Sequence, residues 1–257
     1  PPDCQLLVAA GPRNPIPPAE LDQIRSYLAG GGRMLVLLSS PLRPNVRKSG
    51  LETLLVEWGV VVGDDVVVDQ AQSRAAAAEV LFTSQFSNHP AVRPLHRGRL
   101  SLVTPRSVRA RGNDARSDGI KVDELVFTSP EGRKLTSGEG ALRPGTNGPV
   151  ALAAAVEKGT ISGVGPDRGS TRLIVVGESV FLANTLIGWE ANRDFASLAV
   201  NWLLDRGQLL ELGPRPFNEY RVSLSQAQMR TIRWLLLAVF PGVVMLAGVL
   251  VWVRRRS

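Results

Sequence analysis

Short apolar runs alternate with amphipathic stretches along this chain, and that alternation limits its fold more than any other feature. Leu6–Ala10 is apolar and ends in "GPRNP", the pattern of a buried strand and its exit turn. "IPPAELDQIRSYLAGGGR" follows. Its prolines suit a first helical turn, Leu21, Ile24 and Leu28 share one face, and Gly30–Gly32 stop it. "RMLVLLSS" is then a second buried strand, so the three segments form a βαβ unit. In "SGLETLLVEWG", Leu51, Leu54, Leu55 and Trp58 fall at helical spacing, with Gly59 as the stop. "VVVGDDVVVD" supplies two very short strands around a Gly-Asp-Asp turn.

The same grammar returns near the end. "GPVALAAAVEKG" reads as a strand, and Leu173–Val176 is a buried strand followed by a turn and a helix start. Phe195, Leu198, Ala199 and Trp202 mark a helix in "NRDFASLAVNWLLDRG". Between about 70 and 147 the pattern is weaker, with strands at Leu100–Val103 and Lys121–Phe127 among Gly, Ser, Arg and Pro clusters. The expectation is a three-layer α/β domain, Rossmann-like or flavodoxin-like with a mainly parallel sheet, over residues 1–206. A linker is expected at 207–224, and a transmembrane helix with a short basic tail at 225–257.

That last expectation rests on Trp234–Val253, which carries no charged residue. About 20 apolar residues is the length a helix needs to cross a bilayer core of roughly 30 Å. Trp234 and Trp252 stand near its ends, with Arg233 before it and Arg254, Arg255 and Arg256 after it. Ala238 and Gly242 form a small-xxx-small pair, a candidate packing face for another membrane helix. Arginines on both sides leave the orientation open.

Charge and composition exclude some functions. The net charge of +7 falls to +2 when Arg230, Arg233 and Arg254–Arg256 are set aside. Arg93–Arg116 is locally basic but has no interleaved aromatics for base stacking. A solvated loop near anionic lipid is expected there, and no nucleic-acid partner. Cys4 is the single cysteine, which excludes a disulfide scaffold. A strand-like run so close to Pro1, without a leader, reads as the C-terminal portion of a longer protein.

No catalytic set emerges. "GALRPGTN" at Gly140–Asn147 has Thr146 where a phosphate-binding loop needs Lys. "GVGPDRG" at Gly163–Gly169 precedes a strand instead of joining strand to helix. "GESVF" at Gly177–Phe181 lacks the second glycine of a nucleophile elbow. Cys4 begins a strand, the wrong end for a nucleophile in an open sheet. His89 and His96 have no carboxylate or thiolate beside them for a metal. No catalytic residue, metal or cofactor is therefore expected. Ligands of open parallel sheets meet the C-terminal strand ends, here Gly11–Pro17, Ser39–Pro44 and Gly177–Ser179. Ser39, Ser40, Glu178 and Ser179 are the candidates for hydrogen bonds to a partner, or else they cap helices.

"TRLIVVGESVFLAN", "NRDFASLAVNWLLDRGQLLELGPRP" and "VSLSQAQMRTIRWLLLAVFPGVVMLAGVLVWVRRR" resemble the closing pattern of GldG-like, gliding-motility-associated ABC transporter auxiliary subunits. The stretches "CQLLVAAGPRNPIPPAELDQIRSYLAGGGRMLVLLSS" and "GLETLLVEWGVVVGDDVVVD" are similar to that family's α/β domain. The resemblance implies a non-catalytic subunit working beside an ABC-2-type permease and a separate ATPase. It implies an extracytoplasmic domain on the bacterial cytoplasmic membrane, with the C-terminus cytoplasmic and the lipid bilayer as a further partner. It also implies an N-terminal membrane helix and an upstream region beyond this sequence, and a fold similar to a domain of intraflagellar transport proteins. A membrane-tethered scaffold for protein or glycan stays open as an alternative, as does a degenerate amidotransferase- or hydrolase-like enzyme.

Overall fold

Glycine-, proline- and turn-punctuated segments resolve, among the described residues, into fourteen short strands and three α-helices in the first of two units, Pro1–Arg215; the second is Pro216–Ser257. The computed structural model describes residues 4–43, 45–69, 73–74, 77–112, 119–138, 141–159, 170–206 and 233–256. The expected linker at 207–224 and the Gly163–Gly169 loop lie outside them.

The opening βαβ unit forms as read. β1 (Leu7–Ala10) pairs in parallel with β2 (Arg33–Leu37) across α1 (Pro18–Ala29). Pro18 occupies the first turn of α1, where its missing N–H costs nothing. The helix ends as a Schellman motif. Gly31 is left-handed at φ +84°, the Gly32 N–H reaches the Tyr27 carbonyl and the Gly31 N–H reaches that of Leu28.

α2 (Leu51–Glu57) starts with a reciprocal cap. The Ser49 hydroxyl accepts from the Leu51 N–H, while the Glu52 carboxylate takes the Gly50 N–H. β3 (Val60–Val62) and β4 (Asp65–Val68) follow, then β5 (Ser73–Arg74), β6 (Ala77–Thr83), β7 (Gln85–Phe86), β8 (Leu100–Val103) and β9 (Val108–Ala110). The remaining strands are β10 (Ile120–Phe127), β11 (Arg133–Gly138), β12 (Ala141–Asn147), β13 (Ala151–Lys158) and β14 (Thr171–Val176), before α3 (Asn192–Leu203).

The main sheet runs β1-β2-β14-β13-β10-β7. Only β1, β2 and β14 are mutually parallel; β13 is antiparallel to β14 and to β10, and β10 to β7. The expected mainly parallel sheet is therefore corrected to a mixed one. The cause is β13, which pairs antiparallel with β14 where a parallel sheet would need the same direction. Three smaller antiparallel sheets (β12-β11-β4, β3-β9 and β5-β6-β8) account for the region whose pattern was weak.

Helices cover both faces, because the central strands bury both sets of alternate residues. Met34, Val36, Leu173 and Val175 pack with Leu28, Leu51, Leu54 and Leu55 from α1 and α2. Leu35, Leu37, Ile174 and Val176 pack with Phe195, Leu198 and Trp202 from α3. After β14 the chain makes a 3₁₀ turn at Val180–Leu182, and α3 begins only at Asn192. Asn192 is buried there, its amide bonded to the Ser101 N–H and hydroxyl and to the Leu186 carbonyl.

The solvated basic loop expected at Arg93–Arg116 is corrected in part: Arg93, Arg97, Arg99, Arg109 and Arg111 are exposed, but the stretch holds strands β8 and β9 and one buried arginine. Arg106 is 5% exposed, with its guanidinium bonded to Glu52 at 2.9 Å, Asp64 at 3.2 Å and the Gly63 carbonyl at 2.8 Å. Arg99 pairs with Glu190 and lies over the Phe82 ring. "GALRPGTN" proves to be strand β12 from Ala141 onward.

Among the described residues of the C-terminal unit the expected continuous transmembrane helix is not found; positions 225–232 of its expected range lie outside them. Leu235–Val239 is wound as a π-helix, and α4 (Phe240–Arg256) is a 17-residue α-helix. Pro241 is the physical reason for the break. It has no N–H to donate back into the preceding turn, so a regular α ladder cannot run through it. Seventeen residues give about 25 Å of helix. Among the described residues no helix is long and apolar enough to cross a membrane.

Gly177 tests how tightly the main sheet is closed. A Cβ there would stand 2.1 Å from the Arg106 carbonyl oxygen, a backbone atom that cannot swing aside. Gly177→Ala should destabilise the α/β unit by about 1–3 kcal/mol. The measurement is urea unfolding: a lower midpoint at constant m is expected, and an unchanged midpoint would refute the close contact.

Candidate functional site

Register brings the three strand-end loops together. Ala10 is paired with Leu37, and Leu37 with Val176, so β1, β2 and β14 leave the sheet at one level. Gly11 follows β1 directly, in the left-handed conformation at φ +64°. A Cβ on Gly11 would meet the Ser179 Oγ at 2.5 Å and the Ser39 Oγ at 3.2 Å. The place a side chain at position 11 would take is thus already filled by hydroxyls from two other loops.

The four candidate residues play different parts. Ser39 is 6% exposed, and its hydroxyl and that of Ser179 make no hydrogen bond among the described residues. Ser40 is 2% exposed and accepts a 2.9 Å bond from the Thr104 hydroxyl, so it is committed to the fold. Glu178 is fully buried and turns its carboxylate to the N–H groups of Val180 and Phe181. It does the capping of the 3₁₀ turn that Ser179, at the cap position, leaves undone. Ala238 lies in the π segment and Gly242 in α4, on opposite sides of the junction, so they do not share one regular α-helical face.

Burial pushes the Glu178 carboxyl up to about 7. The backbone hydrogen bonds of Val180, Phe181 and Val103 and the charge of Arg43 pull it the other way. Three arginines stand on these loops, Arg13 far in sequence from Arg43 and Arg47. Arg13, Arg43 and Arg47 lie on the loops after β1 and β2, and none of them forms an ion pair among the described residues. The loops are stitched together: the Arg47 N–H donates to the Arg13 carbonyl at 2.9 Å, and the Ile16 N–H to that of Ser49. Lys48 does have a partner, Asp64.

The other sequence candidates stay apart from these loops. His89 packs edge-on against Trp202 at 4.9 Å, and its Nδ1 accepts the Ala91 N–H. His96 stacks on Phe86 and bonds to the Ser87 carbonyl. Among the described residues no group of three His, Cys, Asp or Glu side chains is placed to hold a metal ion.

A mixed-sheet α/β domain with helices on both faces, its parallel strand ends gathered around Gly11, is the class that fold and site define. The chain belongs to the family described as an ABC-type uncharacterized transport system, which matches residues 1–202, and it is accordingly an auxiliary component of such a system. No curated protein sequence matches it. The solved structure titled "mmIFT52 N-terminal domain" is similar, with a TM-score of 0.56 and 19% identity over 78% of this chain and 77% of that one. At that identity the likeness is one of fold.

The Glu178 carboxyl links stability to pH. Its folded value lies above the ordinary value of 4.5, so the folded state holds the proton more tightly than the unfolded chain. Its contribution is present below pH 4.5 and is lost as pH rises through about 7. The loss is about 3 kcal/mol. Unfolding free energies measured from pH 4.5 to 8 should fall across that window, and Glu178→Gln should flatten the fall. Equal slopes in the two proteins would refute the assignment.

Proposed function

We propose that this chain is a non-catalytic auxiliary subunit that works beside an ABC-2-type permease and a separate ATPase, held at a lipid bilayer by its C-terminal unit. Family membership supports the transport role. The observation that carries bilayer attachment is the exposure of large apolar side chains in the C-terminal unit. Trp234, Leu235, Leu236, Leu237, Met245 and Trp252 are all more than half exposed. Removing each such side chain from water is worth about 1.5–3 kcal/mol. Arg233 precedes this surface and Arg254–Arg256 follow it, Arg256 lying 4.5 Å over the Trp252 ring. Apolar side chains between cationic ends suit an acyl layer bounded by anionic headgroups. Attachment of this kind requires insertion of the side chains and does not require a span.

The bacterial cytoplasmic membrane, with the α/β unit on its outer side, is the location that the GldG-like resemblance supports. The α/β unit meets its partner through the loops after β1, β2 and β14, where ligands of parallel strands collect. Alkaline carbonate extraction of membranes tests the attachment. The full chain should stay with the lipid, and the double variant Leu236→Glu, Met245→Glu should be released. Release of the parent chain would overturn the proposal.

A further inference from the structure

β1 stands at one end of the main sheet, so one side of it is a free edge. The Gly11 N–H donates to the Leu37 carbonyl of β2 at 2.8 Å, which fixes the alternation of the strand. Leu7, Ala9 and Gly11 turn their backbone groups to β2, while Val8 and Ala10 turn theirs outward. Among the described residues no strand pairs with that outer side. Edges of this kind are normally blunted by charge, proline or a bulge. Leu7–Ala10 is apolar throughout, and its register with β2 runs without a break. Among the described residues of the α/β unit, Val8 and Leu42 are the large apolar side chains left exposed, at 48% and 44%. They stand on β1 and on the loop after its neighbour β2.

Positive charge gathers beyond the end of this edge. Arg13 follows Ala10 by three residues, and the Arg47 N–H donates to the Arg13 carbonyl at 2.9 Å, so the two residues lie side by side. Both are exposed, and neither is ion-paired among the described residues. We infer that the outer edge of β1 receives an extended segment of a protein partner as an added strand, with acidic residues at the end that meets Arg13 and Arg47. The Val8 and Ala10 N–H and carbonyl groups supply the ladder, and Val8 and Leu42 supply apolar contact. The two guanidinium groups select carboxylates and set which end of the segment lies beside them. A second copy of this chain is the poorer occupant, because β1 and its flanks, Cys4–Ala19, contain no acid to meet the arginines. Edge recognition goes beyond the bilayer attachment and the loop docking proposed above and depends on neither.

Fluorescence anisotropy of labelled, end-capped peptides with the detergent-solubilised full chain tests this. The probes are TVTVTDE and DETVTVT, which carry the acidic pair at opposite ends. One of them should bind saturably, a parallel added strand favouring the first and an antiparallel one the second. Amide hydrogen exchange should then slow at Val8 and Ala10, the outward donors of β1. Val8→Pro removes one of those donors without touching the bonds to β2, and should weaken binding about threefold or more. Arg13→Glu with Arg47→Glu, both exposed changes, should weaken it about fivefold or more and should favour the basic peptides TVTVTKK or KKTVTVT instead. Arg109→Glu, at an exposed arginine on β9, should leave binding unchanged. The Leu236→Glu, Met245→Glu variant should also bind normally, which separates a failed edge from a failed bilayer attachment. Absence of saturable binding by both acidic peptides, or binding without slowed exchange at Val8 and Ala10, would overturn the proposal. So would binding indifferent to the arginine reversals, or exchange at Val8 and Ala10 that slows with protein concentration alone, the sign of a second copy on the edge.

Discussion

The buried guanidinium of Arg106 is the interaction on which the arrangement of the α/β unit depends. Four separate pieces of chain meet at this residue. Its side chain binds Glu52 in α2 and both Gly63 and Asp64 in the turn between β3 and β4. Its N–H donates to the Gly177 carbonyl at the exit of β14. Burying a guanidinium is costly unless its hydrogen bonds are met, and removing one partner of such a pair typically costs about 3–5 kcal/mol. Glu52 shows the balance from the other side. Burial pushes its carboxyl up, but bonds from the backbone and from Arg106 and Ser49 outweigh this and hold it below the usual range. Because Glu52 also caps α2, the charge network and the start of that helix share one carboxylate.

Arg106 also explains why the strand-end loops keep their positions. Gly177 is pressed against the Arg106 backbone, and the next two residues are Glu178, which caps the 3₁₀ turn, and Ser179, which faces Gly11. The hydroxyl is thus held by backbone packing on one side and a buried carboxyl on the other. Ser40 is anchored separately by Thr104, a residue in the left-handed conformation at φ +44°. A non-glycine residue of that kind is uncommon and persists where its surroundings fix it. The loops are therefore extensions of the core, which is how short side chains there can have a defined geometry.

What was legible in the sequence followed from periodicity. The strand and helix segments around Leu35, Leu54, Leu173 and Leu198 have the burial that their spacing implies. Strand direction is not carried by periodicity: "ALAAAVEK" reads as a strand either way, and only its pairing with β14 makes it antiparallel. Long-range charge pairs were equally hidden. Arg106 lies among other basic residues in sequence, while its carboxylate partners stand 54 and 42 positions away. Glu178 reads as a turn residue beside a serine, yet folding removes it from water entirely. In the C-terminal run, composition alone favours one long helix, whereas the single missing N–H of Pro241 divides it.

The similarity to a solved domain at 19% identity shows that this fold is compatible with extensive sequence change. A sheet with both faces covered can exchange one apolar side chain for another while keeping its volume and its alternation. The residues around Gly11 are under a different constraint. Gly11 must take a positive φ and leave space for two hydroxyls, which a Cβ would violate on both counts. The arginines have no packing role that would keep them, since Arg13 and Arg47 are exposed and unpaired among the described residues. A fold can therefore be shared while the loops at its strand ends follow constraints of their own, set by backbone conformation and close contact and not by the alternation of the sheet beneath them.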